Sequence, residues 1–487
     1  MNSSRRSPFD HLRLGLIGVL IAGSVCIAGC GQRHAEATPV GAPGQAQTIA
    51  PLSADDVSLL FPAPTRVEDF SNLIAVRDLT TQNAQDPTKR DPVWPDAVFQ
   101  QFVAIAAGPA ATVAGTQNRI GLPVEAQSIE AWFIAGIRVD AGAPGLSNDI
   151  REQFGQLPEI RLIIQPVIRN PDGTPKVFDI AGHLIFDFKL KNSDLSALPD
   201  CSPRPRPRPD LDSFNTIVAD LAALRTKLSD GQLGAHKVRT SGVLLGVYPG
   251  LADPTTANNV RQEIKSFLEK HISGDRLDAL AITGLPAGAP APWIFLSMLN
   301  LHPGDLAALP KGALVPVHGP TLDGEQFAQM LAAAGGVPRV VPVPHTNNLN
   351  SITCKNAAVS TTSLPVAERT GVSTAELFVT PPPPADKTQQ IVNVIADPAK
   401  SHFFNTDCVS CHTETRRSME LLNIKDIPGI DPAVLPNGQW DVRNFGWSPS
   451  GKGPVQATVT RRTAAETNAV VMFINSELLG KQTLSNH

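Results

Sequence analysis

The residues of this chain best suited to chemistry are two cysteines and a histidine near the C-terminus. Cys408 and Cys411 stand three positions apart, and His412 follows the second cysteine directly. On a turn of helix, two thiols at this spacing meet the two vinyl-derived carbons on one edge of a haem, and the next imidazole reaches the iron. The motif therefore predicts one covalently attached haem c, held by Cys408, Cys411 and His412.

Two other chemistries use a Cys-x-x-Cys pair. A thioredoxin-like redox pair opens a helix that follows a strand, whereas this motif follows a helix predicted over Thr388–Ala396. A structural zinc site needs a second pair of ligands, and the remaining cysteines have other expected roles. Haem attachment is therefore the favoured interpretation.

The first 29 residues have the composition of a targeting segment. Three arginines (Arg5, Arg6 and Arg13) precede an apolar stretch over Leu14–Ala28, which is short for a membrane-spanning helix. The four residues at the end of this region, Ile27-Ala28-Gly29-Cys30, resemble the bacterial lipobox. That resemblance implies removal of residues 1–29 and lipidation of Cys30, and the alternative is a plain secretory signal with a chance cysteine.

Lipidation would place the mature protein in the bacterial cell envelope. Each buried methylene of an acyl chain contributes about 0.8 kcal/mol, so several chains hold a protein stably on a membrane. Gly31 stands where lipoproteins retained in the inner membrane usually carry Asp. We therefore expect a lipid anchor in the outer membrane, with the protein facing the periplasm or the cell surface.

Cys201 and Cys354 remain once Cys26 leaves with the signal peptide and the others take their expected roles. In an oxidising compartment, two remaining thiols are most simply a disulfide. The alternative is two separately buried thiols, because the sequence does not give their separation.

Charge and length limit the partners and the organisation. The formal net charge of −4 over 487 residues argues against nucleic acid as a partner. The expected partners are the membrane, through the lipid, and a redox partner protein. We predict a signal peptide over 1–29, a flexible tether over 30–52, a domain over 53–379, a Pro-rich linker over 380–385 and a haem domain over 386–487.

The 53–379 domain is predicted to be α+β, with two β-α-β-β repeats and pairing between non-adjacent strands. Pro-Gly-Leu precedes the helix in both units, and chance similarity of common elements is the alternative. The first unit comprises strands over Trp132–Val139, Ile160–Val167 and His183–Leu190 with a helix over Ser147–Phe154. The second comprises strands over Gly242–Val247, Leu277–Thr283 and Trp293–Met298 with a helix over Thr256–His271.

From Asp386 onward the chain resembles the class I cytochrome c family, over about a fifth of its length. The shared pattern is a helix, the Cys-x-x-Cys-His motif, a long loop and a terminal helix, here opened by a capping box over Thr463–Glu466. The resemblance implies a small all-α domain that buries one haem.

The second axial ligand departs from that family's pattern. The family usually places a Met in the loop before the terminal helix, yet residues 424–462 contain neither Met nor His. Met472 is the expected distal ligand. Met419, His402 and an open or water-bound iron are the alternatives.

Other polar and aromatic residues admit a role near a cofactor or an ordinary structural one. His183 shares a strand face with Asp179 and Asp187, which suits either a metal site or plain surface polarity. In the loop before the terminal helix, the aromatic residues can wall a haem edge or pack elsewhere, and two polar residues can bond propionates or a bound ligand. These loop residues are Trp440, Phe445, Trp447, Arg443 and Asn444.

The sequence therefore favours a membrane-anchored c-type haem lipoprotein that transfers single electrons in the cell envelope. One alternative is a peroxidase-like haem enzyme, which needs an open distal position on the iron. The other is a binding or sensory lipoprotein that works through residues 53–379. An iron with two axial ligands from the protein favours the electron carrier, whereas an iron with one open axial position favours the enzyme.

The predicted disulfide is tested by peptide mapping of the mature protein without reduction. We expect one cross-linked peptide pair that contains Cys201 and Cys354, because closing so long a loop stabilises a fold by roughly 3–5 kcal/mol. Two alkylatable thiols at these positions would refute the bridge.

Overall fold

An antiparallel β-sheet organises the chain, and β-branched and other apolar residues dominate its strands. This computed structural model describes residues 51–83, 85–107, 122–146, 157–190, 209–229, 244–284, 294–300, 314–316, 321–322, 377, 381–401, 406, 408–436, 443–450 and 454–479. In chain order the strands are β1 (Ser58–Leu60), β2 (Thr80–Gln82), β3 (Arg90–Pro92), β4 (Trp132–Asp140), β5 (Glu159–Arg169), β6 (Pro175–Val177), β7 (Ile180–Asp187), β8 (Leu277–Gly284), β9 (Ile294–Asn300), β10 (Leu314–Pro316), β11 (Thr321–Leu322), β12 (Phe445–Trp447) and β13 (Ala457–Val459).

The main sheet runs in the order β1-β4-β5-β7-β8-β9-β10, with β6 beside β5 and β11 beside β9. Every pairing between these strands is antiparallel. The α+β class is therefore confirmed. Strand β1 pairs with β4 across β2 and β3, but the predicted pairing of non-adjacent strands is wrong for the strands that the repeats comprise. The strands of the long central run lie beside their sequence neighbours, because the helical segment between β7 and β8 returns the chain to the adjacent position.

Helices occur where the apolar spacing predicts them, including one after Pro95-Asp96 whose apolar side holds Val98, Phe99 and Phe102. The long helix over Leu211–Ser229 is not among the predicted ones. The predicted helices over Thr256–His271, Thr388–Ala396 and the terminal region are confirmed with small shifts in their ends, whereas Ser147–Phe154 lies outside the described residues. The α-helices are α1 (Ala54–Val57), α2 (Asp96–Ala107), α3 (Leu211–Ser229), α4 (Pro249–Ala252), α5 (Ala257–His271), α6 (Ala385–Ala396), α7 (Cys408–Leu422) and α8 (Arg461–Phe473). Short 3-10 helices cover Val67–Asn72, Val76–Asp78, Val124–Gln127, Ile129–Ala131, Gly274–Arg276 and Pro432–Val434, and a π-helical segment covers Ile474–Leu479.

Helix α3 is absent from the sequence predictions, although its signals are present. Asp210 caps it, since its carboxylate accepts hydrogen bonds from the backbone N–H (3.1 Å) and the hydroxyl (2.6 Å) of Ser213. Phe214, Ile217, Val218 and Leu221 recur at helical spacing and are buried.

The predicted strand over Gly242–Val247 is wrong for its described part, residues 244–247. Leu245 and Val247 form only isolated bridges, to Ile430 and Leu60. The ladder cannot continue, because Pro249 lacks a backbone N–H and begins α4. The second predicted repeat therefore lacks its first strand, while its strands β8 and β9 and its helix α5 are present.

A β-bulge reverses the alternation of side chains along β4. The pairing of β4 with β5 shifts between Ile134 and Gly136, so that Ala135 is the extra residue. Because of this shift, Ile134 lies on the same face as Ile164, and Gly136 lies on the opposite face with Ile163. The bulge lets a single strand present apolar residues to one layer and charged residues to the other.

Aromatic side chains cover the apolar face. Trp132 of β4 meets Trp94 with ring centroids 5.9 Å apart, and Phe102 of α2 lies 5.6 Å from the Trp132 ring. Trp94 also makes an edge contact with Phe99. Such edge-to-face packing contributes about 0.5–1.5 kcal/mol per pair beyond the buried area.

The C-terminal segment covers the other face, and the chain from residue 48 to 487 forms one compact unit. Ser58 of β1 and Thr467 of α8 share a buried hydrogen bond of 2.8 Å. Leu52 exchanges backbone hydrogen bonds with the Asn475 side chain, so the predicted flexible tether ends before Leu52. Residues on both sides of the predicted linker thus share one core.

The sequence predicts a purely helical C-terminal region, but this region also contains strands. Strands β12 and β13 pair with each other, and β12 contacts β4 and β5. The cap of the terminal helix also differs, because Thr460 rather than Thr463 is the N-cap and accepts from the Thr463 N–H. A cap at residue 460 instead of 463 extends the helix by three residues, or about 0.8 of a turn, toward its N-terminus.

Glu466 joins the sheet to the C-terminal segment and yields a testable prediction. Its carboxylate accepts from Arg138 of β4 at 2.7 Å and from Arg462 of α8 at 2.6 Å. Burial opposes the charge, but the two guanidinium groups lower the pKa of Glu466 to about 2. The stabilisation is therefore complete above the ordinary value of 4.5 and is lost as pH falls toward 2.

We expect Glu466→Gln to lower the free energy of unfolding by about 1–2 kcal/mol at pH 7, since the side chain is 32% exposed. Urea titrations should show this difference shrinking at pH 3. The exposed Glu125, changed to Gln, is the matched control and should have no effect. An equal destabilisation at both pH values would contradict the ion-pair account.

Candidate functional site

The Cys-x-x-Cys-His motif opens helix α7. The helix begins at Cys408. Cys411 and His412 lie within its first turn and a half, and both are half-buried. Residues three and four apart on a helix lie on the same side, so the helix brings the three motif residues to one side. Helix α6 packs along α7, and α8 contacts both.

Glu414 fixes α7 to the start of α8. Its carboxyl group is fully buried, accepts from the Thr415 hydroxyl at 2.8 Å and lies 3.7 Å from the Arg461 guanidinium. Burial outweighs that cation and raises the pKa of Glu414 to about 7. The Thr415 hydroxyl also accepts from the Arg461 N–H at 2.9 Å. These contacts hold the motif helix against the terminal helix.

Arg462 fixes the chain that leads into the motif. Its guanidinium donates to the carbonyl of Ile395 in α6 (3.2 Å) and to the carbonyl of Ser401 after that helix (2.6 Å). Burial opposes its charge, but Glu466 and then Cys411 raise the pKa of Arg462. Cys411 therefore lies within electrostatic range of a guanidinium that remains charged.

The sheet face opposite these helices carries an unusual density of charge. Arg138 lies opposite Arg161, which lies opposite Ile185, and in the next row Asp140 lies opposite Glu159, which lies opposite Asp187. Glu159 and Arg161 form an ion pair of 2.6 Å. Burial, followed by neighbouring carboxylates, raises the pKa of Asp187 well above its ordinary value.

The segment around β12 binds this face directly. The Gln165 side chain exchanges two hydrogen bonds with the backbone of Trp447, at 3.0 and 2.6 Å. The Trp447 indole N–H donates to the Phe61 carbonyl at 3.0 Å. A Cβ added at Gly136 would overlap the Phe445 ring, so that ring lies directly on the sheet. Close backbone approach at Gly136 is what permits this contact.

Arg443 ties the beginning of the same segment to the sheet. Its buried guanidinium lies 2.7 Å from the Asp179 carboxylate, immediately before β7. Breaking such a buried pair by removing one partner typically costs about 3–5 kcal/mol. The contact places the chain before β12 beside the strand that contains His183.

His183 lies on this same charged face. It is opposite Ile163 of β5 and Ala281 of β8, and it is half-buried. Burial, followed by the charges of Arg161, His412, Arg138 and Arg443, lowers the pKa of His183 to about 3. Its imidazole is therefore neutral at neutral pH, and the motif histidine is within electrostatic range.

The sequence-predicted site residues fare differently. Met472 is 63% exposed on α8, where its sulfur contacts the Asn468 amide at 3.7 Å. Met419 is half-buried and packs on the core. Trp447 is buried against the sheet, so its contacts are those of a core residue, and Asn444 accepts hydrogen bonds from Thr460 and Thr463 with its backbone carbonyl. Cys30, Cys201, Cys354, His402 and Trp440 lie outside the described residues.

Sequence reasoning did not connect His183 with the motif. The distance between residues 183 and 412 in the chain carries no pairing signal, and only strand alternation marked the face of His183. The roles of Glu414, Arg461 and Arg462 were also missed, although two adjacent arginines at a helix start are an unusual pattern beside the positive end of the helix dipole.

Comparison with known proteins gives no further identification: no protein family, curated protein or solved structure matches the chain. Among the described residues, no helix has the length and apolar character needed to cross a membrane. In the same part of the chain, no three or more His, Cys, Asp or Glu side chains are grouped to hold a metal ion.

Proposed function

We propose that this protein is a c-type haem lipoprotein that transfers single electrons in the bacterial cell envelope. The observation that carries the proposal is the Cys-x-x-Cys-His motif at the start of α7. Cys408 and Cys411 would hold the haem through thioether bonds, and His412 would be the proximal ligand of the iron. A class I-like cytochrome fold, extended by the β12–β13 hairpin, would surround it.

The surroundings of the motif fit a haem. Cys411 and His412 keep accessible surface in an otherwise packed helix. On the charged face of the sheet, Ile185, Ala279 and Ala281 of β7 and β8 are small or aliphatic and are also partly accessible. Arg461 Nη1 is buried and has no hydrogen-bond partner among the described residues, so a propionate oxygen would share it with the Glu414 carboxylate 3.7 Å away. The fit thus includes covalent attachment, an apolar surface and a cation.

When bound, the haem supplies an iron centre that gains and loses one electron. The chain would bury the macrocycle, orient the imidazole of His412 through the fixed α7–α8 contacts, and set the potential through nearby charges. The lipid on Cys30 would keep the protein at the outer membrane, facing the periplasm or the surface, where a redox partner protein exchanges electrons with it.

One observation favours a peroxidase-like enzyme as the second candidate. Arg161 keeps 33% of its side chain exposed on the same sheet face as His183, and an arginine and a histidine beside an open iron position suit peroxide chemistry. The spin state separates the two candidates, because an enzyme of this kind needs one free position on the iron.

The proposed function is tested by expressing the full chain together with the haem-attachment machinery. We expect the mature protein to keep its haem through denaturing electrophoresis and acid–acetone extraction, because the thioether bonds are covalent. Cys408→Ala and Cys411→Ala should each weaken attachment, and the double variant should lose the haem.

Cys354→Ala is the control, and it should retain haem because attachment takes place on the unfolded exported chain. A wild-type protein without a Soret band, or one that releases all its haem on extraction, would overturn the proposal.

A further inference from the structure

Helix α8 is attached to the sheet at two adjacent residues. Arg138 of β4 lies directly opposite Ser58 of β1 in the sheet register. Arg138 donates to the Glu466 carboxylate at 2.7 Å, and Ser58 shares a hydrogen bond of 2.8 Å with Thr467. Because one cross-strand pair holds two consecutive residues of the helix, both the position and the rotation of α8 on the sheet are fixed.

Arg462 is linked to this attachment one helical turn earlier in α8. Residues four apart lie on the same side of a helix. The Glu466 carboxylate accepts from Arg462 at 2.6 Å, through the oxygen that Arg138 does not use. The side chain of Arg462 is only 8% exposed, so its charge depends on partners inside the protein. Glu466 is therefore shared between an arginine of the sheet and an arginine of the helix.

The rest of the Arg462 guanidinium binds the chain that enters the motif. It donates to the carbonyls of Ile395 and Ser401 at 3.2 and 2.6 Å, and also to the Ser401 hydroxyl. Ser401 is fully buried, and its hydroxyl donates to the Ile395 carbonyl at 2.6 Å. Helix α6, which contains Ile395, packs along the motif helix. A continuous chain of polar contacts therefore joins β4 to the segment that precedes Cys408.

We propose that Arg462 is a positioning residue for the haem, and that the sheet sets its position through Arg138 and Glu466. The inference rests on the proposed haem attachment and deepens it, because it names how residues far from the motif influence the reduction potential. Residues 395–401 and α6 would be held against the motif helix and would limit the access of water to the haem. Water stabilises the charged ferric form, so a looser cover lowers the reduction potential.

Reduction potentials of the matured full-length variants test the inference. We expect Arg462→Gln to lower the potential, because the segment is released and a buried cation is lost. Arg462→Lys keeps the charge but not the planar fork of donors, and it should also lower the potential if geometry matters. Arg138→Gln should shift the potential in the same direction, because Glu466 loses its partner in the sheet and turns to the solvent.

Hydrogen exchange gives a second readout that does not depend on the haem. The Lys400 and Ser401 amides donate to the Asp397 carbonyl at 3.0 and 2.9 Å, in the segment that Arg462 holds. In Arg462→Lys and Arg138→Gln these amides should exchange roughly tenfold faster, the change expected for loss of one hydrogen bond to a charged group. The amides of β5 should change less, because the loosening is local. An equal change in both regions would mean global destabilisation and would contradict the inference.

Lys189→Gln is the matched control. Lys189 forms an ion pair of 2.7 Å with Asp278 of β8, so this variant also removes one cation from an ion pair at the sheet. It should leave the reduction potential and the exchange of the Lys400 and Ser401 amides unchanged, because neither partner belongs to the chain of contacts from β4 to residue 401.

A wild-type potential in Arg462→Lys or in Arg138→Gln, with covalent haem present, would overturn the inference. Equal shifts in Arg138→Gln and Lys189→Gln would also overturn it, because they would reduce the effect to net charge. If Arg462→Gln fails to fold, Arg462→Lys and Arg138→Gln decide the question. Absence of covalent haem from the wild type would instead refute the proposed function on which the inference rests.

Discussion

One face of the main sheet carries charged side chains, and the rest of the structure must cover that face. Arginines, carboxylates and a glutamine lie in adjacent rows on β4, β5 and β7, and Asp140, Glu159 and Gln165 among them are buried. Burying such groups costs several kcal/mol each unless they are paired and hydrogen bonded. An apolar helix layer of the kind that covers the other face could not satisfy them. The C-terminal segment contributes partners, because Glu466 accepts from Arg138 and the Trp447 backbone bonds the Gln165 side chain.

This requirement explains why the motif region is joined to the sheet. Strand β12 and helix α8 contribute hydrogen bonds and side chains to the core that contains β1, β4 and β5. A separate cytochrome module would bury its haem among its own helices. Here the C-terminal segment packs instead on a sheet built from residues far away in the chain.

Local patterns predicted most of the elements. The strands at β4, β5, β7, β8 and β9 and the helices α2, α5, α6 and α8 follow from alternation, helical spacing and capping residues. Residues 244–247 misled the prediction because an apolar run before Pro249 resembles a strand, and only the tertiary neighbours show that its ladder stops. The pairing order depended on the long connection between β7 and β8, whose helix α3 was not predicted.

The candidate site could be predicted only in part. The motif at Cys408, Cys411 and His412 is local, so its chemistry follows from spacing. The contact of residues 443–447 with β4 and β5 is non-local, and charges such as Arg138 and Glu466 give no sign of their partners until the fold joins them.

The residues around the haem motif and the sheet share one hydrophobic core and should therefore unfold as one cooperative unit. Guanidinium unfolding of the matured full-length protein tests it most directly, followed in parallel by Soret absorbance, far-ultraviolet circular dichroism and tryptophan fluorescence. We predict that the three transitions coincide, as they do when a fold unfolds as a single unit. A haem transition that separates clearly from loss of the sheet signal would contradict the account.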